Sequence, residues 1–309
     1  MDRLEAMSTL LAAVEAGSLS AASRRLGMPL ATVSRKVSEL EAHLRTRLVN
    51  RTSRRLTLTD AGRSYVVACK RILEEIGEAE RAAAGEYLAP RGDLTITAPI
   101  VFGRLHVLPV VIAFLAAYPD VDIRLALSDR VVNLQEDDID LAVRIGALPD
   151  SSLIATRVGA IREVVCGSPA YFASRGTPKR PDDLGADLRA HLRAHDCISF
   201  EGMSSPAGWK FVVGKSTVSV AIRSRLIVNT AEAAIDAAAA GVGVARVLSY
   251  QVAGALRAGT LTLVLRKFEP PPAPVSLVHA GQGLLPLKLR AFLDFAAPLL
   301  KARLAQIES

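Results

Sequence analysis

Residues 18–60 read SLSAASRRLGMPLATVSRKVSELEAHLRTRLVNRTSRRLTLTD. Ser18 or Ser20 can cap a helix whose small face, Ala21 and Ala22, permits close packing. Gly27 stands where that helix must stop and turn left-handed, and Pro29 keeps it from continuing. A second helix then carries Val33, Val37, Leu40 and Leu44 on one apolar stripe. Leu30, Ala31, Thr32, Ser34, Arg35 and Lys36 crowd its N-terminal end. Two short helices in this arrangement present the second one to the major groove of duplex DNA. The segment Arg51-Thr52-Ser53-Arg54-Arg55 follows, flanked by Leu48 on one side and by alternating Leu56 and Leu58 on the other. Such a segment predicts a β-wing that carries guanidinium groups to phosphates.

Charge separates this reading from a helical bundle with a merely solvated basic face. Residues 1–63 hold 11 lysines and arginines against 6 acids, so about a fifth of the chain carries +5 of a total +7. That asymmetry points to a polyanionic partner. The predicted DNA contacts are Ser20, Leu30, Ala31, Thr32, Ser34, Arg35 and Lys36, together with wing residues Arg51, Thr52, Ser53, Arg54 and Arg55.

The stretch resembles the N-terminal domain of LysR-type transcriptional regulators. The matching parts are Ala21-Ala22-Ser23-Arg24-Arg25-Leu26-Gly27, Val33-Ser34-Arg35, Leu40-Glu41, Arg47-Leu48-Val49-Asn50-Arg51-Thr52 and Leu58-Thr59-Asp60-Ala61-Gly62. One departure is Leu30-Ala31, where relatives often carry a polar residue and proline. Leu30 can touch a thymine methyl but cannot read a base edge by hydrogen bonds.

At 309 residues, half of them hydrophobic, the chain holds two or three compact units. The N-terminal Leu4, Met7, Leu11 and Val14 make an amphipathic helix from Arg3 to about Ala16, with acidic residues, and not a signal peptide. No uninterrupted run of membrane-spanning length is expected, so the reading is cytoplasmic, without a membrane partner. Thr59 or Asp60 caps a long helix reaching Tyr87, about 40 Å at 1.5 Å per residue. Its Ala61, Tyr65, Ala68, Ile72, Ile76, Ala79 and Ala83 recur every three or four residues, a near-heptad seam that needs a partner. The family resemblance implies that this linker helix pairs antiparallel with a second chain. Two recognition helices then face the half-sites of an interrupted palindrome, and the family also suggests a dimer of dimers.

Pro90-Arg91-Gly92 ends the helix, and strands then alternate with helices. Leu94–Ala98, Val121–Leu127 and Ile139–Ile145 read as strands around a helix from Val101 to Ala117. A second group comprises Glu163–Cys166, Cys197–Phe200, Val218–Ile222, Leu226–Val228, a helix from Thr230 to Ala240, Val242–Val247 and Thr260–Leu265. Val275–Val278 and a final helix over about 287–305 return to the first group. The alternation implies βαβ units with parallel sheets.

The resemblance continues here, to the effector-binding part of the same regulators: two α/β subdomains joined by two crossovers, as in periplasmic solute-binding proteins. The expected architecture is an all-α winged helix-turn-helix over 1–59, a linker helix over 60–89 and an α/β effector domain over 90–309. Within the last, subdomain I covers about 90–161 and 267–309, and subdomain II about 162–266. A small-molecule effector of unspecified identity, with no other cofactor, is expected between them. By position its lining is Thr97, Pro99, Ile100, Val101, Ser128, Gly146, Phe200, Asn229 and Thr230, where helix N-termini meet strand ends. Many relatives place a hydroxyl where Pro99-Ile100-Val101-Phe102 stands. Backbone donors must then hold any carboxylate, and the wall suits an aromatic or hydrophobic inducer.

Other chemistries fit less well. Cys69, Cys166 and Cys197 form no CxxC pair. Some relatives sense peroxide through cysteines, but Cys166 and Cys197 sit in apolar strands and read as buried small residues. His191 and His195, four apart, arise from the tandem Leu-Arg-Ala-His copies at 188–195, so no metal site is assigned. Gly214-Lys215-Ser216 lacks the earlier glycine and the following helix of a phosphate loop. Gly241-Val242-Gly243 lacks the third glycine of a dinucleotide fingerprint, since Arg246 stands there, and reads as a helix C-cap and strand start. No nucleophile elbow or triad is present, so catalysis is not expected. The rivals to a sequence-specific regulator are a solute-binding or sensory protein with an accessory helical domain, and a sequence-blind DNA binder. RNA polymerase is a possible further partner of the regulator.

Overall fold

The computed structural model describes residues 2–51, 56–83, 89–130, 133–134, 139–148, 153–185, 195–203, 208–280 and 285–308. Three helices open the chain: α1 (Arg3–Glu15), α2 (Leu19–Leu26) and α3 (Leu30–Leu44). Ser18 caps α2, its Oγ accepting the Ala21 N–H at 3.1 Å. Gly27 ends α2 at φ +64°, a left-handed conformation that only glycine adopts without steric cost. Val33, Val37 and Leu40 of α3 are fully buried in the small cores shared with α1 and α2. Each such burial is worth about 2 kcal/mol.

A two-stranded hairpin, β1 (Val49–Arg51) and β2 (Leu56–Leu58), forms the base of the wing with Asn50 opposite Thr57. Thr52, Ser53, Arg54 and Arg55, predicted to contact phosphates, lie outside the described residues. The long helix α4 runs Asp60–Ala83, and its predicted continuation to Tyr87 falls on residues 84–88, which are also outside them. Thr59, not Asp60, caps it: its Oγ1 accepts the Gly62 N–H at 2.9 Å and donates to the Arg47 carbonyl at 2.7 Å.

The expected seam of α4 lies only partly against its own chain. The first turns of α4 lie on the DNA-binding domain itself, through Val66 and the stripe residue Tyr65, with Gly62 and Cys69 also buried. A Cβ on Gly62 would stand 1.9 Å from the Leu48 carbonyl oxygen, so helix and wing touch backbone to backbone. The stripe itself is less covered: Ala61 and Ala79 are exposed, and Ile72 and Ile76 half-buried.

The rest of the chain builds two five-stranded sheets. The first has the order β4-β3-β5-β14-β6, with β3 (Gly92–Ala98), β4 (Val121–Leu127), β5 (Leu141–Ile145), β6 (Leu153–Ile161) and β14 (Ala273–Ala280). The second has the order β11-β8-β12-β7-β13, with β7 (Glu163–Gly167), β8 (Cys197–Phe200), β11 (Ser224–Val228), β12 (Val244–Leu248) and β13 (Thr262–Val264). Each sheet has one crossover to the other, since β14 returns to the first. Both sheets are mixed. The pairs β3–β4, β3–β5, β8–β11 and β8–β12 are parallel, while β14 runs antiparallel to β5 and β6, and β7 to β12 and β13. The expected parallel pairing holds for those four pairs and is broken by one strand in each sheet, β14 and β7, each of which follows a crossover and runs in the opposite sense. A hairpin of β9 (Trp209–Val213) and β10 (Ser216–Val220) turns at Gly214-Lys215, which settles the supposed phosphate loop as a β-turn.

The helix predicted over 101–117 is three pieces: α5 (Ile100–Phe102), a π-helical turn (Gly103–Val107) and α6 (Leu108–Ala117). Contrary to the sequence expectation, this 18-residue span is long and apolar enough to cross a membrane by composition. In the fold it packs by one face, with Leu105, Leu108 and Ile112 exposed on the other. Val101, Phe102, Val107, Val110, Val111 and Phe114 bury against the first sheet and the terminal helix α10 (Leu287–Glu308). In the second subdomain, α7 (Pro169–Arg175), α8 (Ala231–Ala239) and α9 (Ser249–Arg257) complete the layers.

Candidate DNA-reading face and effector cleft

The N-terminal end of α3 is an exposed reading edge. Leu30, its first residue, is 46% exposed, Ala31 is exposed beside it, and Thr32 and Ser34 are half-buried. The Arg35 side chain is 69% exposed and, among the described residues, pairs with Glu39, one turn on, at 3.9 Å. An exposed pair of that length is worth a few tenths of a kcal/mol, so the guanidinium is free to leave it for a base edge. Lys36 is different. Its ammonium pairs with Glu5 of α1 and its side chain is 16% exposed, so in the DNA-free fold it ties α3 to α1. Ser20 is exposed on α2. Arg51 lies in β1 at the wing base.

One scaffold residue escaped the sequence reading. Glu41 Oε1 accepts the Leu48 N–H at 2.8 Å and the Val49 N–H at 3.1 Å, so the end of α3 sets where the wing begins. Glu41 stood in the family-like motif, but nothing in its spacing announces two backbone bonds to residues seven and eight further on.

In the sensor half, the predicted lining residues stand at or near the ends of β3, β4, β5, β8 and β11. Thr97 is buried and its Oγ1 donates to the Ala126 carbonyl at 3.0 Å, so its hydroxyl is already committed. Ser128 Oγ accepts the Arg130 N–H at 3.1 Å. Thr230 caps α8 through the Ala233 N–H at 3.3 Å, and Asn229 beside it is exposed. Phe200 is 6% exposed at the end of β8, Val101 is 4% exposed, and Pro99 and Ile100 are half-buried. Gly146 leaves β5 at φ +112° with its N–H on the Pro274 carbonyl.

One of the backbone donors expected to hold an acidic ligand is taken. Ile100 N–H donates to Asp129 Oδ1 at 3.0 Å. Across from it stands an aromatic group that sequence reasoning did not assemble. Phe102 and His106 of subdomain I lie 4.9 Å apart, and each is 5.5 Å from Tyr250 of α9 in subdomain II, edge to face. At the rim, Arg104 meets Glu232 of α8 at 3.5 Å. Burial pushes the Tyr250 hydroxyl far up, and holds the His106 imidazole down at about 4 with help from Arg303.

Elsewhere the polar groups are structural. Arg246, from the failed dinucleotide fingerprint, is 7% exposed; it donates to the Met203 carbonyl at 2.9 Å and lies 5.7 Å over the Trp209 ring. Cys166 and Cys197 are fully buried, and burial pushes both thiols up to about 12, which makes them poor redox sensors. His195 is buried against the Tyr171 hydroxyl, and His191 lies outside the described residues. No group of three or more metal-ligating side chains occurs among the described residues. An open hollow of about 560 Å³ lies between α4 and the first sheet, lined by Leu73, Glu74, Gly77, Arg91, Gly92 and Asp120.

A helix-turn-helix with a free reading edge, joined by a long helix to a two-lobed sensor, defines a DNA-binding transcriptional regulator. Comparison with known proteins agrees. Residues 4–63 match the model of the bacterial regulatory helix-turn-helix protein, lysR family, and residues 89–301 that of the LysR substrate binding domain. An HTH-type transcriptional repressor of Pseudomonas aeruginosa (strain UCBPP-PA14) is 37% identical over 300 residues, covering 97% of this chain and 92% of the relative. The HTH-type transcriptional activator AaeR of Escherichia coli (strain K12) is 30% identical, covering 95% and 93%. Among solved structures, CrgA, a LysR-type transcriptional regulator from Neisseria meningitidis, gives a TM-score of 0.59 at 29% identity, covering 96% of this chain and 98% of that one. Full-length AphB, a Vibrio cholerae virulence activator, gives 0.58 at 27% identity, covering 95% and 98%. The chain belongs to the LysR family of transcriptional regulators.

Proposed function

We propose that this regulator acts as a homodimer paired through α4, reads an interrupted palindrome with two copies of α3, and is switched by a small molecule held between its two sensor subdomains. The observation that carries the reading is the exposed N-terminal edge of α3, where Leu30 and Arg35 stand clear of the fold. Ser34 and Arg35 sit nearest the base edges, and Arg51, Arg54 and Arg55 of the wing hold phosphates. Ile72 and Ile76, half-buried within one chain, supply the pairing seam. Dimers associate in pairs when two sites lie in phase, and RNA polymerase is the partner through which transcription is set. The protein works in the cytoplasm, away from membranes, needs no cofactor beyond its effector, and catalyses no reaction.

Selection of binding sites from random duplexes by the full-length chain tests this. Enrichment of a two-armed motif, with arms about one helical turn apart, is expected. Enrichment of single arms only overturns the dimeric reading.

A further inference from the structure

The two sensor subdomains meet through three rings, and one of them is chemically incomplete. The π turn at Gly103–Val107 widens the helix by one residue, a local distortion that recurs at functional sites. It leaves His106 stacked beside Phe102 and facing Tyr250. Both ring nitrogens of His106 are shut off from solvent, and neither has a hydrogen-bond partner among the described residues. A neutral imidazole offers one donor and one acceptor, and leaving both unmade in a buried place costs stability.

The surroundings say what could satisfy them. A carboxylate arriving at the start of α5 finds the Ile100 N–H already bonded to Asp129, whose charge opposes it. Glu232, across the cleft, is offset by Arg104. Burial is the main reason the Tyr250 hydroxyl disfavours negative charge; Asp129 and Glu232 act in the same direction, while hydrogen bonds from Gln251 and the Phe102 backbone oppose them. The present occupant of the space beside Phe102 and His106 is itself a phenol, the Tyr250 side chain, seated edge to face on both rings.

We propose that His106 is the polar specificity-determining residue of the effector cleft, and that the effector is an uncharged aromatic bearing a hydroxyl group, not a carboxylate. The assignment rests on the reading of this chain as an effector-controlled regulator. The ligand's ring packs on Phe102 in competition with Tyr250, and its hydroxyl meets the orphaned imidazole.

The test is calorimetric titration of the full-length protein at neutral pH with para-cresol and para-toluate, which share a ring and methyl group and differ in the polar head. Para-cresol should bind at least about tenfold more tightly. His106→Phe keeps the ring packing and should lose about tenfold or more in para-cresol affinity, whereas His106→Gln, which restores a donor and an acceptor, should lose less. Asp129→Asn keeps an acceptor for Ile100 N–H but removes the charge, so para-toluate should gain about tenfold while para-cresol stays within about threefold. Tighter para-toluate binding by the wild type, unchanged para-cresol binding by His106→Phe, or binding of neither compound overturns the proposal. Operator preference, measured by gel shift on the same preparations, separates the two claims. Retained preference with failed ligand selectivity removes only this assignment, and lost preference removes the regulator reading itself.

Discussion

Lys288 Nζ lies 2.6 Å from Glu74 Oε1, a residue 214 positions earlier in the chain. Lys288 is 6% exposed and stands in the first turn of α10, where the helix dipole disfavours a cation. The carboxylate from α4 is what makes that buried charge tolerable, so the pair joins the DNA-binding half to the sensor half. Glu74→Gln should destabilise the protein by about 1–3 kcal/mol, because it leaves the buried ammonium a neutral acceptor without a counter-charge. Glu74→Gln combined with Lys288→Met should recover much of the loss. Equal destabilisation by the single and the double variant, in denaturant titrations, contradicts the pairing.

Gly62 is set against the wing by necessity. Its missing Cβ would stand 1.9 Å from the Leu48 oxygen, and backbone on both sides cannot yield as a flexible side chain would. Gly62→Ala should cost about 1–3 kcal/mol and lower DNA affinity through a displaced wing. A variant with unchanged Tm and unchanged DNA affinity would show that α4 and the wing are not in register as described.

His106 makes stability depend on pH. Burial holds it at about 4 against an ordinary 6.5, so between those values the unfolded chain binds a proton that the folded chain refuses. Stability therefore rises with pH across this window and is lost as pH falls through it, by up to about 3 kcal/mol. Burial shifts His195 in the same direction, which adds to the slope. His106→Phe should flatten the profile between pH 4 and 6.5; parallel profiles for variant and wild type would count against the buried neutral imidazole.

Arg35 and Lys36 are neighbours with opposite expected phenotypes. Arg35 is held only by a weak exposed pair, so Arg35→Ala should leave Tm nearly unchanged and reduce discrimination between operator and random duplex by about 1–3 kcal/mol. Lys36→Ala removes the partner of Glu5 and should lower Tm with little change in discrimination. Reversal of the two phenotypes in gel shifts and melting curves would reassign the reading edge.

These contrasts show what could be read from the chain alone. The helix-turn-helix was legible because Ser18, Gly27 and the Val33-Val37-Leu40 stripe act locally, and local rules fix them. Strands such as Val121–Leu127 were legible by alternation. Strand β6 was not, since its pairing partner β14 lies far along the chain, and of the local β9–β10 hairpin only the second strand was read, as Val218–Ile222. The π turn has no sequence signature of its own, and the Phe102–His106–Tyr250 group exists only because two subdomains meet. The Lys36–Glu5 pair was not legible for the same reason: helical spacing puts Lys36 beside Arg35, and its partner stands on another helix.

The central claim is that this chain reads specific DNA sequences as a dimer, and pull-down of genomic fragments by the purified full-length protein, sequenced at low and at raised salt, tests it most directly. Phosphate contacts weaken steeply with salt, whereas base discrimination persists. The account predicts a few sites that survive the raised salt and share an interrupted palindrome. Uniform, salt-labile recovery with no common motif would contradict it and leave charge alone as the reason this protein binds DNA.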